Sequence, residues 1–391
     1  MTALLFVGWA LAFHSSPSAW AGSRPSCAVG KQTHAGCEFT RLDCGGSMEK
    51  VPVPDQGDLG ICYSVAATEV AKAFIDTYGD KDGDKSHSFS ISPLHSAYGS
   101  YARLTEERKT KSLAKVETYK KAGKFRMPIE GGFSYDVLDY LLTQGACPKS
   151  VMDDLEIADP KNHQYLFQSL LDGLEAYSKI NKIADTANLQ AEDKEKLAAW
   201  TKNCLSKQGI EIETESFQNL INELFRGDTL AKIHDDIRCP HEKREYFKDA
   251  EIKHDWLMAR TPAEVKAMLH EHFNNKVKTQ PLIIRYCSKI LTAGPGFQGL
   301  DRAAKAPEED DKNYKNGCGG HASILIGRRY DPKSRKCQFL VQNSWGATCD
   351  EPYSSKWTCE RATGKVWVDA DELANNIYGT TKLVANKKDS K

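Results

Sequence analysis

The stretch from Asp55 to Tyr78 limits the fold more than any other part of the chain. It reads Asp55-Gln56-Gly57-Asp58-Leu59-Gly60-Ile61-Cys62-Tyr63-Ser64, after which Ala67, Val70, Ala71, Phe74, Ile75 and Tyr78 recur at helical spacing. The chain therefore passes from a glycine-bearing loop into an amphipathic helix that opens at Cys62 and stops at Gly79. A cysteine at a helix N-terminus feels the positive end of the backbone dipole, which favours thiolate over thiol. Upstream, Gln56 carries a side-chain amide that can aim an N–H at a developing oxyanion. The competing reading is an inert core thiol, since Cys62 is one of twelve cysteines.

Two distant segments favour the chemical reading. In Gly317-Cys318-Gly319-Gly320-His321-Ala322-Ser323-Ile324-Leu325-Ile326-Gly327, small residues precede a histidine that opens an apolar run, read as a strand. A lone histidine there would ordinarily be a satisfied core residue. In Cys337-Gln338-Phe339-Leu340-Val341-Gln342-Asn343-Ser344-Trp345-Gly346 a second short strand ends in an amide, a hydroxyl, an indole and a glycine. The polar link between them carries Asp331-Pro332, a turn signal, so the two strands read as a hairpin that brings His321 beside Asn343.

Gln56-x5-Cys62, Gly320-His321-Ala322 and Asn343-Ser344-Trp345-Gly346, in this order, resemble the papain family of cysteine peptidases. Glu130-Gly131-Gly132-Phe133, followed by Tyr135, Leu138, Tyr140 and Leu141, is similar to that family's double glycine and the helix after it. Ser90-Ile91-Ser92-Pro93-Leu94 is similar to the segment leading into the family's next helix. The resemblance spans most of residues 51–150 and 260–370. It implies an α+β fold of two lobes, one helical and one barrel-like, with the cleft between them.

It also implies roles. Cys62 is the nucleophile and His321 the acid and base. Asn343 orients the imidazole, and Gln56 with the Cys62 backbone N–H forms the oxyanion hole. Trp345 covers the Asn343–His321 hydrogen bond. Gly131 and Gly132 pair with an extended substrate on the non-primed side, and Gly320 borders the same cleft. The chain departs from the pattern in three places. Tyr63 replaces the usual tryptophan after the nucleophile, Leu59 stands where the family often has a cysteine, and Met127-Pro128-Ile129-Glu130 lacks that cysteine's partner. The cleft wall must then be braced otherwise, with Leu59 packing as the expected means. Only Gly22 to Pro54 lie between the leader and the catalytic segment, too short for the family's usual inhibitory pro-segment.

Residues 1–21 read as a secretory signal, with an apolar run from Ala3 to Phe13 and Ala19-Trp20-Ala21 before Gly22, although no Lys or Arg precedes Arg24. Export, to the outside or the periplasm, fits a count of twelve cysteines. With Cys62 set aside the remainder is odd, so the others cannot all pair within the chain. Nine of these eleven fall in clusters (Cys27, Cys37 and Cys44; Cys204 and Cys239; Cys318, Cys337, Cys349 and Cys359); the spacing allows pairing within each cluster but does not fix the connectivity. No spacing suits a zinc site, and Asp80-x-Asp82-x-Asp84 has its glycine at Gly83 and Ile91 at the twelfth position, which does not suit a calcium loop. No metal or cofactor is expected. Lys and Arg number 53, as do Asp and Glu, which argues against nucleic acid or an anionic membrane as main partner. No run approaches the ~20 apolar residues of a membrane span.

The expected layout is a signal at 1–21, a first lobe at 22–150, a helical insertion at 151–254 and a second lobe at 255–391. Within the insertion, Tyr165 to Tyr177 and Phe217 to Phe225 carry apolar stripes at helical spacing. This segment is expected to modulate access to the cleft or to hold a protein partner. Glu308-Glu309-Asp310-Asp311 reads as an exposed loop. Thr261-Pro262-Ala263-Glu264 reads as a capping box, and Pro281 to Cys287 as a strand. The function expected is hydrolysis of peptide bonds in protein or peptide substrates. The alternatives are acyl transfer at the same site and a non-catalytic module that holds a protein partner.

Overall fold

The computed structural model describes residues 27, 34, 36–56, 60–79, 89–121, 129–150, 199, 239, 241–247, 250–274, 279–304, 311–349 and 353–386. The leader at 1–21, Leu59, the Asp80 to Asp84 turn, both apolar stripes of the middle segment, Cys204, and Glu308 to Asp310 lie outside them.

Helix α1 (Cys62–Tyr78) begins and ends where the periodicity places it, and the Gly79 N–H closes it on the Ile75 carbonyl at 2.8 Å. Its environment differs from the expectation of a half-exposed helix. From Cys62 to Ile75 every residue is buried, Glu69 and Lys72 included. The reason is its central position: α2 (Pro93–Ala102) and α4 (Ser134–Gln144) pack on it, and so do strands β3 (Leu282–Cys287), β4 (Gly320–Asp331) and β8 (Ile377–Ala385). Each fully buried Val70, Phe74 or Ile75 contributes about 1.5–3 kcal/mol. The Lys72 ammonium is met one turn on by Asp76, and Glu69 accepts from Gln342 Nε2 at 2.9 Å. Helix α2 starts as its sequence suggests, with Pro93 in the first turn and the Ser92 hydroxyl accepting from His95 N–H at 3.2 Å. A further helix, α3 (Glu106–Lys121), follows it.

The remaining strands are β1 (Thr40–Arg41), β2 (Ala250–Trp256), β5 (Lys336–Gln342), β6 (Thr358–Glu360) and β7 (Lys365–Asp369). They form one antiparallel sheet in the order β2-β8-β3-β4-β5-β7-β6, with β1 added on β4. The chain is thus a mixed assembly of helices and antiparallel sheet. Strand β3, expected from Pro281 to Cys287, is buried at every position, the basic Arg285 included. The β4–β5 hairpin forms with Asp331 opposite Lys336, and the Asp331 carboxylate caps the turn by accepting from Lys333 N–H at 3.2 Å and Ser334 N–H at 3.1 Å. Helix α5 (Pro262–Asn274) opens on the expected capping box: Glu264 accepts from Thr261 N–H at 2.7 Å and the Thr261 hydroxyl accepts from Glu264 N–H at 3.3 Å. Helices α6 (Lys289–Ala293) and α7 (Ala370–Asn376) and two 3-10 turns (His241–Lys243 and Asp311–Asn313) complete the described elements.

One expectation needs correction. Residues Ala250 to His254, placed with the helical insertion, belong to the edge strand β2, whose exposure alternates along its length as period-two patterning requires. The disulfides, whose connectivity the spacing leaves open, cross the sequence clusters. Cys27–Cys44 and Cys349–Cys359 pair within them, but Cys37 pairs with Cys337, Cys147 with Cys239 and Cys287 with Cys318. Sheet pairing decides this. The β1–β4 and β4–β5 contacts bring Cys37 beside Cys337 across a sequence separation of 300.

Candidate active site

The β4–β5 hairpin carries His321 at the start of one strand and Asn343 one residue past the end of the other. His321 Nε2 lies 2.7 Å from Asn343 Oδ1. Two other donors reach the same oxygen, the Ser344 backbone N–H at 2.9 Å and the Ser323 hydroxyl at 2.9 Å. A backbone N–H can only donate, so it fixes which end of the Asn343 amide is oxygen. That oxygen then requires the proton of neutral His321 to sit on Nε2, leaving Nδ1 as the ring's free base. Behind Ser323 stands the Tyr286 hydroxyl at 3.1 Å, which donates to Ser323 because the Ser323 proton is already committed to Asn343. Asn343 Nδ2 donates to the Tyr353 hydroxyl at 3.3 Å. The Trp345 ring sits 5.5 Å from the His321 ring and stacks on Tyr353 at 5.6 Å. Asn343 is 2% exposed, so its bond to the imidazole is shielded from water.

Cys62 is the free thiol among the described cysteines and is buried. It hydrogen-bonds to His321, and its sulfur accepts from the backbone N–H groups of Tyr63 and Ala322. Burial pushes its thiol up. The charge of His321, the hydrogen bond to it and the two backbone donors outweigh that and leave the thiol below its ordinary value. The reciprocal holds for His321. Burial lowers it, but the Cys62 charge and the hydrogen bonds to Cys62 and Asn343 raise it above its ordinary value. Both shifts favour an imidazolium beside a thiolate.

Helix α1 has no side-chain cap at Ile61, so the first-turn N–H groups keep no side-chain partner from that residue. That of Tyr63 serves the sulfur. That of Cys62 belongs to the same first turn. Gln56 is held against the Asn343 segment by its backbone. Gln56 N–H donates to Ser344 O at 2.9 Å and Gly346 N–H to Pro54 O at 3.0 Å. The Ser344 hydroxyl also donates to Gln56 Oε1, which turns the amide nitrogen away from Ser344. The sequence singled out Gln56, Cys62, His321, Asn343 and Trp345, and the fold brings all five into one constellation. It did not single out Ser323, Ser344, Tyr286 or Tyr353, although Ser344 directly follows Asn343 and Ser323 lies two residues past His321, on the same face of a strand.

Gly131 and Gly132 adjoin the start of α1. Gly131 adopts φ +79°, a region that favours glycine, and a Cβ on Gly132 would lie 2.6 Å from the Tyr63 ring. Leu59 is outside the described residues; among those described, hydrogen bonds hold this segment. Gly131 N–H donates to Gly60 O at 2.9 Å, Gly60 N–H to Glu130 Oε2 at 3.1 Å, the Tyr63 hydroxyl to Ile129 O at 2.6 Å and the Ser134 hydroxyl to Tyr63 O at 2.9 Å. Gly320, at the start of β4, is exposed next to His321.

Among the described residues, one group elsewhere has metal-ligating atoms in reach of each other: His95, Cys147 and Cys239. Two of the three are joined in a disulfide, so they offer no thiolate. Among the described residues no helix is long and apolar enough to cross a membrane.

No family model matches the chain, and no curated protein matches it. Solved structures that it is similar to include a stem bromelain precursor, at 10% identity and TM-score 0.38 over 90% of this chain and 72% of that one. They also include digestive procathepsin L 3 of Tenebrio molitor larval midgut, at 10% identity and TM-score 0.39 over 93% and 74%. A third is the bromelain protease from Ananas comosus in complex with the E64 inhibitor, at 10% identity and TM-score 0.35 over 86% and 94%.

Proposed function

We propose that the chain is a cysteine peptidase that hydrolyses peptide bonds through a thioacyl-enzyme on Cys62. The observation that carries this reading is the unbroken line Cys62–His321–Asn343, in which the unpaired thiol faces an imidazole whose other nitrogen is held at 2.7 Å by an oriented amide. The thiolate of Cys62 attacks the scissile carbonyl carbon. The oxyanion forms between the Gln56 side-chain N–H and the Cys62 backbone N–H, each worth about 3–4 kcal/mol of barrier by the measure of other acyl-transfer sites. The imidazolium donates its Nδ1 proton to the leaving amine. Neutral His321 then takes a proton from water, which attacks the thioester and releases the acid and the Cys62 thiolate. A neutral Asn343 suffices as orienter because the imidazole is charged in the resting pair. An extended substrate lies along Gly131 and Gly132, where main-chain hydrogen bonds add it to the wall. Five disulfides among the described residues suit work in an oxidising compartment.

The test is cleavage of a mixed peptide library by the wild type and by Cys62→Ala, read by mass spectrometry. The expected result is hydrolysis by the wild type and a loss of at least ~1,000-fold in the variant. New ends bearing an added competing amine in place of free acid would shift the reading to acyl transfer, and no cleavage by either protein would sink it.

A further inference from the structure

Arg285 is a basic residue in the middle of an apolar strand. It lies in β3 opposite Ala322, the residue after His321, and is 8% exposed. Three rings enclose its guanidinium: Phe133 at 4.1 Å, Trp256 at 4.5 Å and Tyr378 at 5.1 Å. Its Nη1 is buried and has no hydrogen-bond partner, and no carboxylate among the described residues pairs with it. Asp136, the acidic residue in the first turn of α4, is taken by Arg108 in a two-pronged pair at 3.0 and 2.6 Å. His254, edge-on to Trp256 at 5.1 Å, is pushed down by burial and then by the Arg285 charge, which disfavours a second positive charge beside the guanidinium.

The cage touches the candidate active site on both sides. Phe133 directly follows Gly131 and Gly132. Tyr378 lies against the start of β4, where a Cβ on Gly320 would be 2.9 Å from the Tyr378 hydroxyl. The charge therefore sits between the double-glycine wall and the His321 wall, at the non-primed end of the cleft. A desolvated guanidinium held by rings, with a buried donor left unbonded, is complementary to a planar carboxylate that can take two parallel N–H bonds. A fully structural arginine would be expected to have its donors satisfied by the protein.

We infer that Arg285 is a specificity-determining residue that pairs with an acidic side chain of the substrate on the non-primed side of the scissile bond. The inference rests on the peptidase reading for its substrate and on the cage for its charge preference. The aromatic faces hold the carbon stem of Asp or Glu, and the guanidinium takes the carboxylate. Neutral side chains of similar size leave the donor open, and basic ones meet a like charge.

The experiment profiles hydrolysis of quenched fluorescent peptides that carry Glu, Gln, Leu or Lys at each non-primed position. It uses the wild type, Arg285→Met and Arg285→Lys, with thermal unfolding as the check on folding. In parallel, fluorescence anisotropy measures binding of the same peptides, unquenched, to Cys62→Ala. The wild type is expected to favour Glu over Gln at one position by about tenfold or more in kcat/KM. Arg285→Met is expected to abolish that ratio, and Arg285→Lys, which keeps the charge without the fork, to retain a smaller one. Hydrolysis without an acidic preference, or a preference that survives Arg285→Met, overturns the Arg285 inference and leaves the peptidase reading standing. Acidic preference in binding with no hydrolysis by the wild type overturns the peptidase reading alone. Neither hydrolysis nor acidic preference overturns both.

Discussion

Cys62 and Gly131 stand on a wall held by single hydrogen bonds, whereas His321 and Asn343 stand on strands tied by a sheet ladder and flanking disulfides. On the sheet side, Cys287–Cys318 joins the end of β3 to the loop before β4, Cys37–Cys337 anchors the start of β5, and Cys349–Cys359 fastens the loop after Asn343 to β6. On the helical side, Cys147–Cys239 lies past the C-terminal end of α4, while the Cys62 wall is at the N-terminal ends of α1 and α4. On the proposed reading, the difference follows from what each side must supply. The base needs one fixed ring orientation, which a ladder and an oriented amide enforce. The nucleophile needs open N–H groups at a helix start, which a covalent brace does not provide and backbone hydrogen bonds can surround.

Breaking the comparison where the two walls meet should have the largest effect. His321→Ala removes the partner that holds the Cys62 thiol down, and hydrolysis should fall by at least ~1,000-fold in kcat. Steady-state kinetics on the best library peptide checks this. A residual rate within tenfold of wild type would mean that the two walls do not act together.

Next in size is the sheet-side brace. Replacing Cys287 and Cys318 by serine should cost about 2–5 kcal/mol of stability, measured by denaturant unfolding. Because this bridge closes on the loop that leads into His321, kcat should drop as well. Unchanged stability would show that the ladder alone holds that wall.

A smaller effect is expected on the helical wall. Glu130→Ala removes the carboxylate that accepts from Gly60 N–H at 3.1 Å, a loss of about 1–3 kcal/mol if the N–H is left unmet. The change should raise KM through the Gly131–Gly132 edge more than it lowers kcat, and the split between the two is the readout. Equal loss in both would place Glu130 nearer to the chemistry than the geometry does.

Local chemistry was legible in the sequence and long-range pairing was not. The helix start at Cys62, the β4–β5 hairpin, the capping box at Thr261 and the buried run of β3 all follow from spacing within a few residues. The His321–Asn343 contact followed from the hairpin alone. The orienting roles of Ser323 and Ser344 were hidden because a serine beside a motif looks like any polar strand end. Cys37–Cys337 was hidden because it depends on strands remote in sequence pairing in one sheet. The β2 strand was masked by a charged neighbourhood, although Ala250, Ile252, His254 and Trp256 alternate with Glu251, Lys253 and Asp255. Arg285 read as an ordinary strand residue, since nothing local shows that Phe133, Trp256 and Tyr378 converge on it.

The central claim is that the two walls share one ion pair, and its pH dependence has a definite sign. The lowered Cys62 thiol keeps its thiolate until pH falls through that lowered value. The raised His321 keeps its imidazolium until pH rises through that raised value. The pair therefore fills the window between the two. The direct measurement is the rate of Cys62 alkylation by iodoacetamide against pH, in the wild type and in His321→Ala. The account predicts a wild-type midpoint well below the ordinary thiol value of about 8.5, and a midpoint at or above it in His321→Ala, where burial opposes the thiolate without the imidazolium. A wild-type midpoint near the ordinary value, or one that His321→Ala leaves unmoved, would contradict it.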